Sequence, residues 1–200
     1  MTANLPTLIL ASASKVRGQM LANAGVAFGV EISNVDEDAI KADAGEKPVE
    51  EIAAELAVAK AATVSANHPE ALVIGADQIL ECDGALFDKP VGRAGAVAHL
   101  DAMRGKGHRL ITAACVLQAG EILWQVTDDV HLTMRDLSDE FIQSYMDQAG
   151  DDVLASVGAY RLEDIGAQLF TRVEGDFFTV LGLPLLPLLE FLRSKGMLET

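Results

Sequence analysis

Near the start of the chain an apolar run, Leu8-Ile9-Leu10-Ala11, breaks into Ser12-Ala13-Ser14 and then Lys15-Val16-Arg17. A run this short and this apolar suits a buried strand, and the serine-rich turn suits the cap of a helix continuing to about Asn23. The arrangement aims two hydroxyls, several unpaired backbone N–H groups, Lys15 and Arg17 at one point. Free amides and partial positive charge at a helix N-terminus favour phosphate. Two cations beside that end cost the helix a little stability, which an anionic ligand would offset. A plain capped helix with solvated charges fits the same residues equally well.

The alternation of strand and helix continues. Ala27 to Ile32 reads as a second strand entering a polar loop with Asp36, Glu37 and Asp38. Pro48 opens a long Ala- and Glu-rich helix to about Ala66, with Ile52, Leu56, Ala59 and Thr63 on one face. Ala71 to Gly75 suits a central strand. Gln78 to Glu81, Asp83-Gly84 and Ala85 to Phe87 suit a hairpin. A helix from about Arg93 to Met103 is ended by Gly105 and Gly107. Two long strands, His108 to Gln118 and Glu121 to Met134, flank a turn at Ala119-Gly120. Ser138 can cap the next helix, whose early Asp139 and Glu140 suit the dipole. The last third holds Gly158 and Gly166, a strand near Gln168 to Val173 and a helix after Pro184. The pattern is mixed α/β in one domain of residues 1–200, with no repeat or linker, and it does not contain the strand order.

Composition narrows the partners. The 200 residues carry 15 Lys and Arg against 30 Asp and Glu, a net charge of −15. Duplex nucleic acid and anionic membrane both need a basic face, so neither is expected as a partner. A small phosphorylated ligand must instead meet a local cluster of cations, helped by a divalent metal. Val180 to Leu192 is too short to span a bilayer and is broken by Gly182, Pro184, Pro187 and Glu190. No basic segment precedes an apolar one at the N-terminus, so no secretory signal is expected. Cys82 and Cys115 lack ligand-type spacing and suit reduced thiols in a cytoplasmic protein.

Three further segments carry candidate chemistry. In Val73-Ile74-Gly75-Ala76-Asp77-Gln78, a carboxylate directly after a buried strand stands where open α/β proteins place ligands, and can bind metal or take a proton from water. Asp is also common in turns and caps. In Phe87-Asp88-Lys89-Pro90, the proline fixes a loop from which Lys89 can reach a phosphate, and Lys60 in the long helix is a second such cation. Glu37 can join Asp77 around a divalent cation, which prefers oxygen ligands, or belong to a simple acidic loop. Arg161, Glu163, Glu174 and Asp176 surround the late glycines, which permit close approach to a flat ligand or merely make turns. The histidines, His68, His99, His108 and His131, show no metal-ligand spacing and suit structural roles. No Walker-type loop, serine elbow or Cys-His pair is present, so covalent catalysis is disfavoured.

Taken in order along nearly the whole chain, these segments resemble the Maf family, known as septum-formation inhibitor homologues and as nucleoside triphosphate pyrophosphatases. The resemblance rests on Leu10-Ala11-Ser12-Ala13-Ser14-Lys15-Val16-Arg17, Val35-Asp36-Glu37, Ala59-Lys60-Ala61, Ile74-Gly75-Ala76-Asp77-Gln78 and Lys89-Pro90. It extends to Val157-Gly158-Ala159-Tyr160, Val173-Glu174-Gly175-Asp176 and Val180-Leu181-Gly182-Leu183-Pro184-Leu185. It implies an elongated mixed sheet flanked by helices, in two lobes with a nucleotide cleft between them. It also implies house-cleaning hydrolysis of a nucleoside triphosphate to monophosphate and pyrophosphate with Mg²⁺ or Mn²⁺. Ser12, Ser14, Arg17, Lys60 and Lys89 would meet the phosphates, Glu37 and Asp77 the metal, and Asp77 would accept the proton of the attacking water. Base preference in the family maps to Val16, Gln78 and Glu163. Gln78 and Glu163 look like the subgroup acting on 7-methylguanosine triphosphate, whereas Val16 stands where that subgroup usually has a tryptophan.

The resemblance admits a homodimer and a second function class, a nucleotide-binding regulator of cell division acting through a protein partner. The combination of Glu37, Lys60, Asp77 and Lys89 favours the enzyme, since binding alone needs no placed base.

Overall fold

The computed structural model describes residues 7–199, which form a seven-stranded mixed sheet flanked by helices. Strand β1 (Leu8–Leu10) is followed by α1 (Lys15–Asn23), β2 (Gly29–Val30), α2 (Glu37–Asp43), α3 (Val49–Ser65), β3 (Leu72–Cys82) and β4 (Ala85–Phe87). Helix α4 (Gly92–Met103), β5 (Gly107–Gln118), β6 (Glu121–Met134) and α5 (Asp139–Ala149) come next. Three 3₁₀ turns over 150–155, 157–159 and 165–169 lead to β7 (Phe170–Glu174), α6 (Phe177–Val180) and α7 (Leu185–Ser194). The sheet order is β2-β1-β3-β5-β6-β7, with β4 also on β3. Pairs β1–β2 and β1–β3 are parallel, whereas β3–β4 and β6–β7 are antiparallel.

The chain divides into two compact units. The first, residues 7–77, 112–128 and 182–199, contains β1, β2, α1, α2, α3, α7 and parts of β3, β5 and β6. Its interior is aliphatic, with Leu8, Leu10, Leu21, Leu56, Leu72, Ile74 and Leu117 fully buried. The second, residues 78–111 and 129–181, has a core of Leu80, Leu100, Met103, Leu110, Val130, Leu132 and Leu169. Tyr145 and Tyr160 are buried there, and the Tyr145 hydroxyl donates to the Ala159 carbonyl at 3.1 Å.

Most of the expected elements are present, and four differ. The segment Ala27 to Ile32 pairs only at Gly29 and Val30, because its partner β1 is three residues long. Of Asp36, Glu37 and Asp38 only Asp36 lies in the loop, and the other two begin α2. Asp36 caps α2 by accepting the Ala39 N–H at 3.0 Å, and Glu37 and Asp38 occupy its first turn, where carboxylates suit the dipole. Strand β3 does not end at Gly75 but runs to Cys82, so Asp77 lies within it. The buried face of α3 is Ile52, Ala53, Leu56, Ala57, Lys60, Ala61, Val64 and Ser65 rather than one through Ala59 and Thr63. Thr63 is exposed, with its hydroxyl donating back to the Ala59 carbonyl. Both hairpin turns match expectation, since Asp83-Gly84 and Ala119-Gly120 have positive φ at both central residues, as a type I′ turn requires.

Candidate active site

The parallel pairing of β1 with β3 ends at Leu10 opposite Ile74, so Gly75, Ala76 and Asp77 continue past the last residue of β1. Helix α3 packs directly onto this extension. A Cβ at Gly75 would lie 2.1 Å from the Ala57 carbonyl oxygen and 2.8 Å from the Ala61 Cβ, so only glycine allows the approach. Lys60, on the same buried face as Ala57 and Ala61, thereby brings its ammonium 2.6 Å from Asp77 Oδ1. The first residue of α2, Glu37, reaches the same ammonium from its Oε1 at 2.9 Å. Lys60 is only 8% exposed and Asp77 6%, whereas the Glu37 side chain is 44% exposed. One buried cation therefore holds two carboxylates together. Among the described residues no donor reaches Asp77 Oδ2.

The β1–α1 turn lies in the same unit. Ser14 caps α1 by accepting the Arg17 N–H at 3.3 Å, and no acidic residue occupies the helix's first turn. Ser12, buried in the turn, accepts the Ser14 N–H at 3.2 Å. Lys15 is exposed, whereas Val16 and Arg17 are half-buried. Arg17 turns inward: Nε donates to the Gly182 carbonyl at 2.6 Å, and Nη1 to the Ala76 carbonyl at 2.9 Å and to Ser12 Oγ at 3.2 Å. Burial pulls the guanidinium pKa below its ordinary value, and the carboxylates of Asp77 and then Glu37 oppose the pull. The Gly182 and Ala76 carbonyls are acceptors that the sequence does not disclose, because a backbone carbonyl leaves no mark in residue type. The one mark in the sequence is the glycine itself, a residue that readily takes the left-handed φ of +93° found at Gly182.

Within the second unit, Gln78 Nε2 donates to the carbonyls of Thr179 at 2.9 Å and Val180 at 3.1 Å, which fixes its side chain. Glu163 accepts from Arg161 Nε at 3.1 Å. Lys89 is exposed in the loop after β4. Glu174 pairs with Arg172 at 2.7 Å, and Asp176 caps α6 by accepting the Thr179 N–H at 3.0 Å. His68 pairs with Glu31, His131 with Asp129 and His108 with the Tyr160 hydroxyl, while His99 meets the Phe87 ring edge-on. Both cysteines are buried and free. Among the described residues no helix is long and apolar enough to cross a membrane.

Glu37 and Asp77 could supply two oxygen ligands to a hard divalent cation. The oxygens of Glu37 and Asp77 already converge on one positive charge, that of Lys60. Among the described residues no group of three or more His, Cys, Asp or Glu could hold a metal. Two carboxylates with remaining positions left to water and substrate phosphate is the pattern usual for Mg²⁺.

Comparison with known proteins joins these features. The family model described as Maf-like protein matches residues 7–195. A protein of Nitrobacter hamburgensis named nucleoside triphosphate pyrophosphatase is 52% identical over 96% of this chain and 95% of its own length. One of the same name from Paramagnetospirillum magneticum is 52% identical over 94% of this chain and 98% of its own. A protein of Rhizobium johnstonii named 7-methyl-GTP pyrophosphatase is 45% identical over 97% of this chain and 98% of its own. With a matching family model across nearly all of its length and relatives this similar end to end, the chain belongs to the Maf family.

Proposed function

We propose that this protein hydrolyses a nucleoside triphosphate to the monophosphate and pyrophosphate, water attacking the α-phosphorus with Asp77 as general base. The observation that carries the reading is the pinned carboxylate of Asp77. Lys60 holds Oδ1 and so orients the group, leaving Oδ2 as the oxygen that would take a proton from water. The names of the relatives, nucleoside triphosphate pyrophosphatase and 7-methyl-GTP pyrophosphatase, support the same reaction.

In this mechanism Ser12, Ser14 and the first amides of α1 donate to phosphate oxygens, and Arg17, Lys60 and Lys89 supply positive charge. Charge develops on bridging and non-bridging oxygens during phosphoryl transfer, and donors fixed in advance stabilise it without a covalent step. A divalent metal, Mg²⁺ or Mn²⁺, held by Glu37 and Asp77 would neutralise phosphate charge. Gln78, Glu163 and Val16 select the base. A carboxylate at Glu163 suits the N1–H and exocyclic amine of a guanine edge, which favours a modified or noncanonical purine nucleotide such as 7-methylguanosine triphosphate. Valine at Val16 stacks weakly on a cationic methylated base compared with tryptophan. Buried free thiols suit the reducing cytoplasm where such nucleotides arise.

The test is a panel of 7-methylguanosine, guanosine, deoxyinosine, thymidine and uridine triphosphates with Mg²⁺ or Mn²⁺, scoring pyrophosphate and orthophosphate separately. Metal-dependent pyrophosphate release is expected. Orthophosphate as the first product, or no turnover by folded protein, overturns the proposal.

A further inference from the structure

Arginine carries five N–H donors in a rigid fork, and a hydroxyl oxygen carries two lone pairs and one proton. Arg17 directs Nε and Nη1 at acceptors of its own chain, Gly182 O, Ala76 O and Ser12 Oγ. Ser12 Oγ thus accepts twice, from Arg17 Nη1 and from the Ser14 N–H. With both lone pairs engaged, its remaining capacity is the O–H, which can only donate. The carbonyl of Ala76 immediately precedes Asp77 in β3, so the same fork restrains the backbone on which the base sits. Gly182 completes the arrangement. Its φ is +93°, and a Cβ there would stand 3.3 Å from both Nε and Nη2 of Arg17.

We infer that Arg17 is a positioning residue. It ties the β3 backbone before Asp77 to the Gly182 turn, and it makes Ser12 an obligate donor toward a phosphate oxygen. The inference rests on the proposed pyrophosphatase reaction and deepens it, moving the hydrogen bonds of Arg17 from the substrate to the frame around it. Lysine cannot replace a fork of this kind, because its ammonium is a single point charge on a flexible stem.

Steady-state kinetics of Arg17→Lys and Gly182→Ala, with melting curves to check folding, test this with the best triphosphate of the panel. Misplacing reacting groups by an ångström costs about 100-fold, so kcat should fall by about that factor in both variants. KM should stay within about threefold, since uniform substrate binding is retained. A raised KM with kcat preserved in Arg17→Lys, together with normal kinetics in Gly182→Ala, overturns the inference in favour of a direct phosphate contact. A second readout uses the wild-type protein and does not depend on turnover. The ¹⁵N-detected Arg17 Nε–H signal should be protected from exchange and should hold its shift as inorganic tripolyphosphate saturates. A rapidly exchanging signal, or one that moves with the anion, overturns the inference even if the variants fail to fold. If the wild type releases no pyrophosphate, the reaction falls and this signal alone decides the role of Arg17.

Discussion

Lys60 stands between two carboxylates, Asp77 buried and Glu37 half-exposed, and the difference in exposure separates the outcomes of two substitutions. Removing one partner of a buried ion pair leaves the other charge uncompensated, at a cost of about 3–5 kcal/mol. Lys60→Met should therefore lose that much stability in denaturant unfolding, since Lys60 and Asp77 are both buried. A loss below 1 kcal/mol on the same scale would mean that solvent screens the pair. Glu37 is half-exposed, so Glu37→Gln should unfold close to wild type. Its effect should appear instead as a higher Mg²⁺ concentration for half-maximal activity, and an unchanged metal titration would remove Glu37 from the metal. At this scale the sequence marks side chains and leaves backbone groups unmarked. Asp77, Lys60 and Glu37 stand out through their motifs, and the fold brings the three into contact. Two of the three acceptors of Arg17 are not readable, because Ala76 and Gly182 accept through their backbones.

Between elements, the contact that sets the site is α3 on β3 at Gly75. Gly75→Ala would drive a methyl into the Ala57 carbonyl, and overpacking of this kind costs about 1–3 kcal/mol. The helix must withdraw, so Lys60 separates from Asp77 and pyrophosphate release should fall together with stability; full activity in a destabilised variant would show that the spacing is not needed. Strand β5 carries a second consequence. His108 is buried, its Nδ1 has no hydrogen-bond partner among the described residues, and burial pushes its pKa down to about 4. The folded value lies below the ordinary 6.5, so the neutral ring's contribution is complete above pH 6.5 and is lost as pH falls toward 4. By linkage this amounts to about 3 kcal/mol. Unfolding measured across that window should show the loss, and His108→Gln should flatten it; an equal slope in both proteins would place the titration elsewhere. The elements that periodicity could reach, α1, α3, α5, α7 and the two hairpins, were legible in advance. Helix α2 was not, because seven residues with no buried side chain give no apolar stripe, and the 3₁₀ turns from 150 to 169 have no 3.6-residue period to detect. The length of β3 was masked by Asp77 itself, a residue that ordinarily ends strands and here is held inside one by Lys60.

The whole chain carries a net charge of −15, so self-repulsion opposes its compact state. Raising NaCl from about 10 mM to about 300 mM shortens the screening length several-fold, and the melting temperature should rise. A flat or falling profile would mean that ion pairs outweigh the repulsion. With this acidic balance a polyanionic substrate would have to be met locally, in the proposed reaction by the first turn of α1 and the lysines rather than by the general surface. That local chemistry makes water attack at the α-phosphorus the central claim, and hydrolysis in ¹⁸O-labelled water tests it most directly. The account predicts one ¹⁸O in the nucleoside monophosphate, none in the pyrophosphate, and a rate lowered about 10²–10⁴-fold in Asp77→Asn, the contribution of a placed general base. Label in pyrophosphate or orthophosphate, or an Asp77→Asn protein that turns over at the wild-type rate, would contradict it.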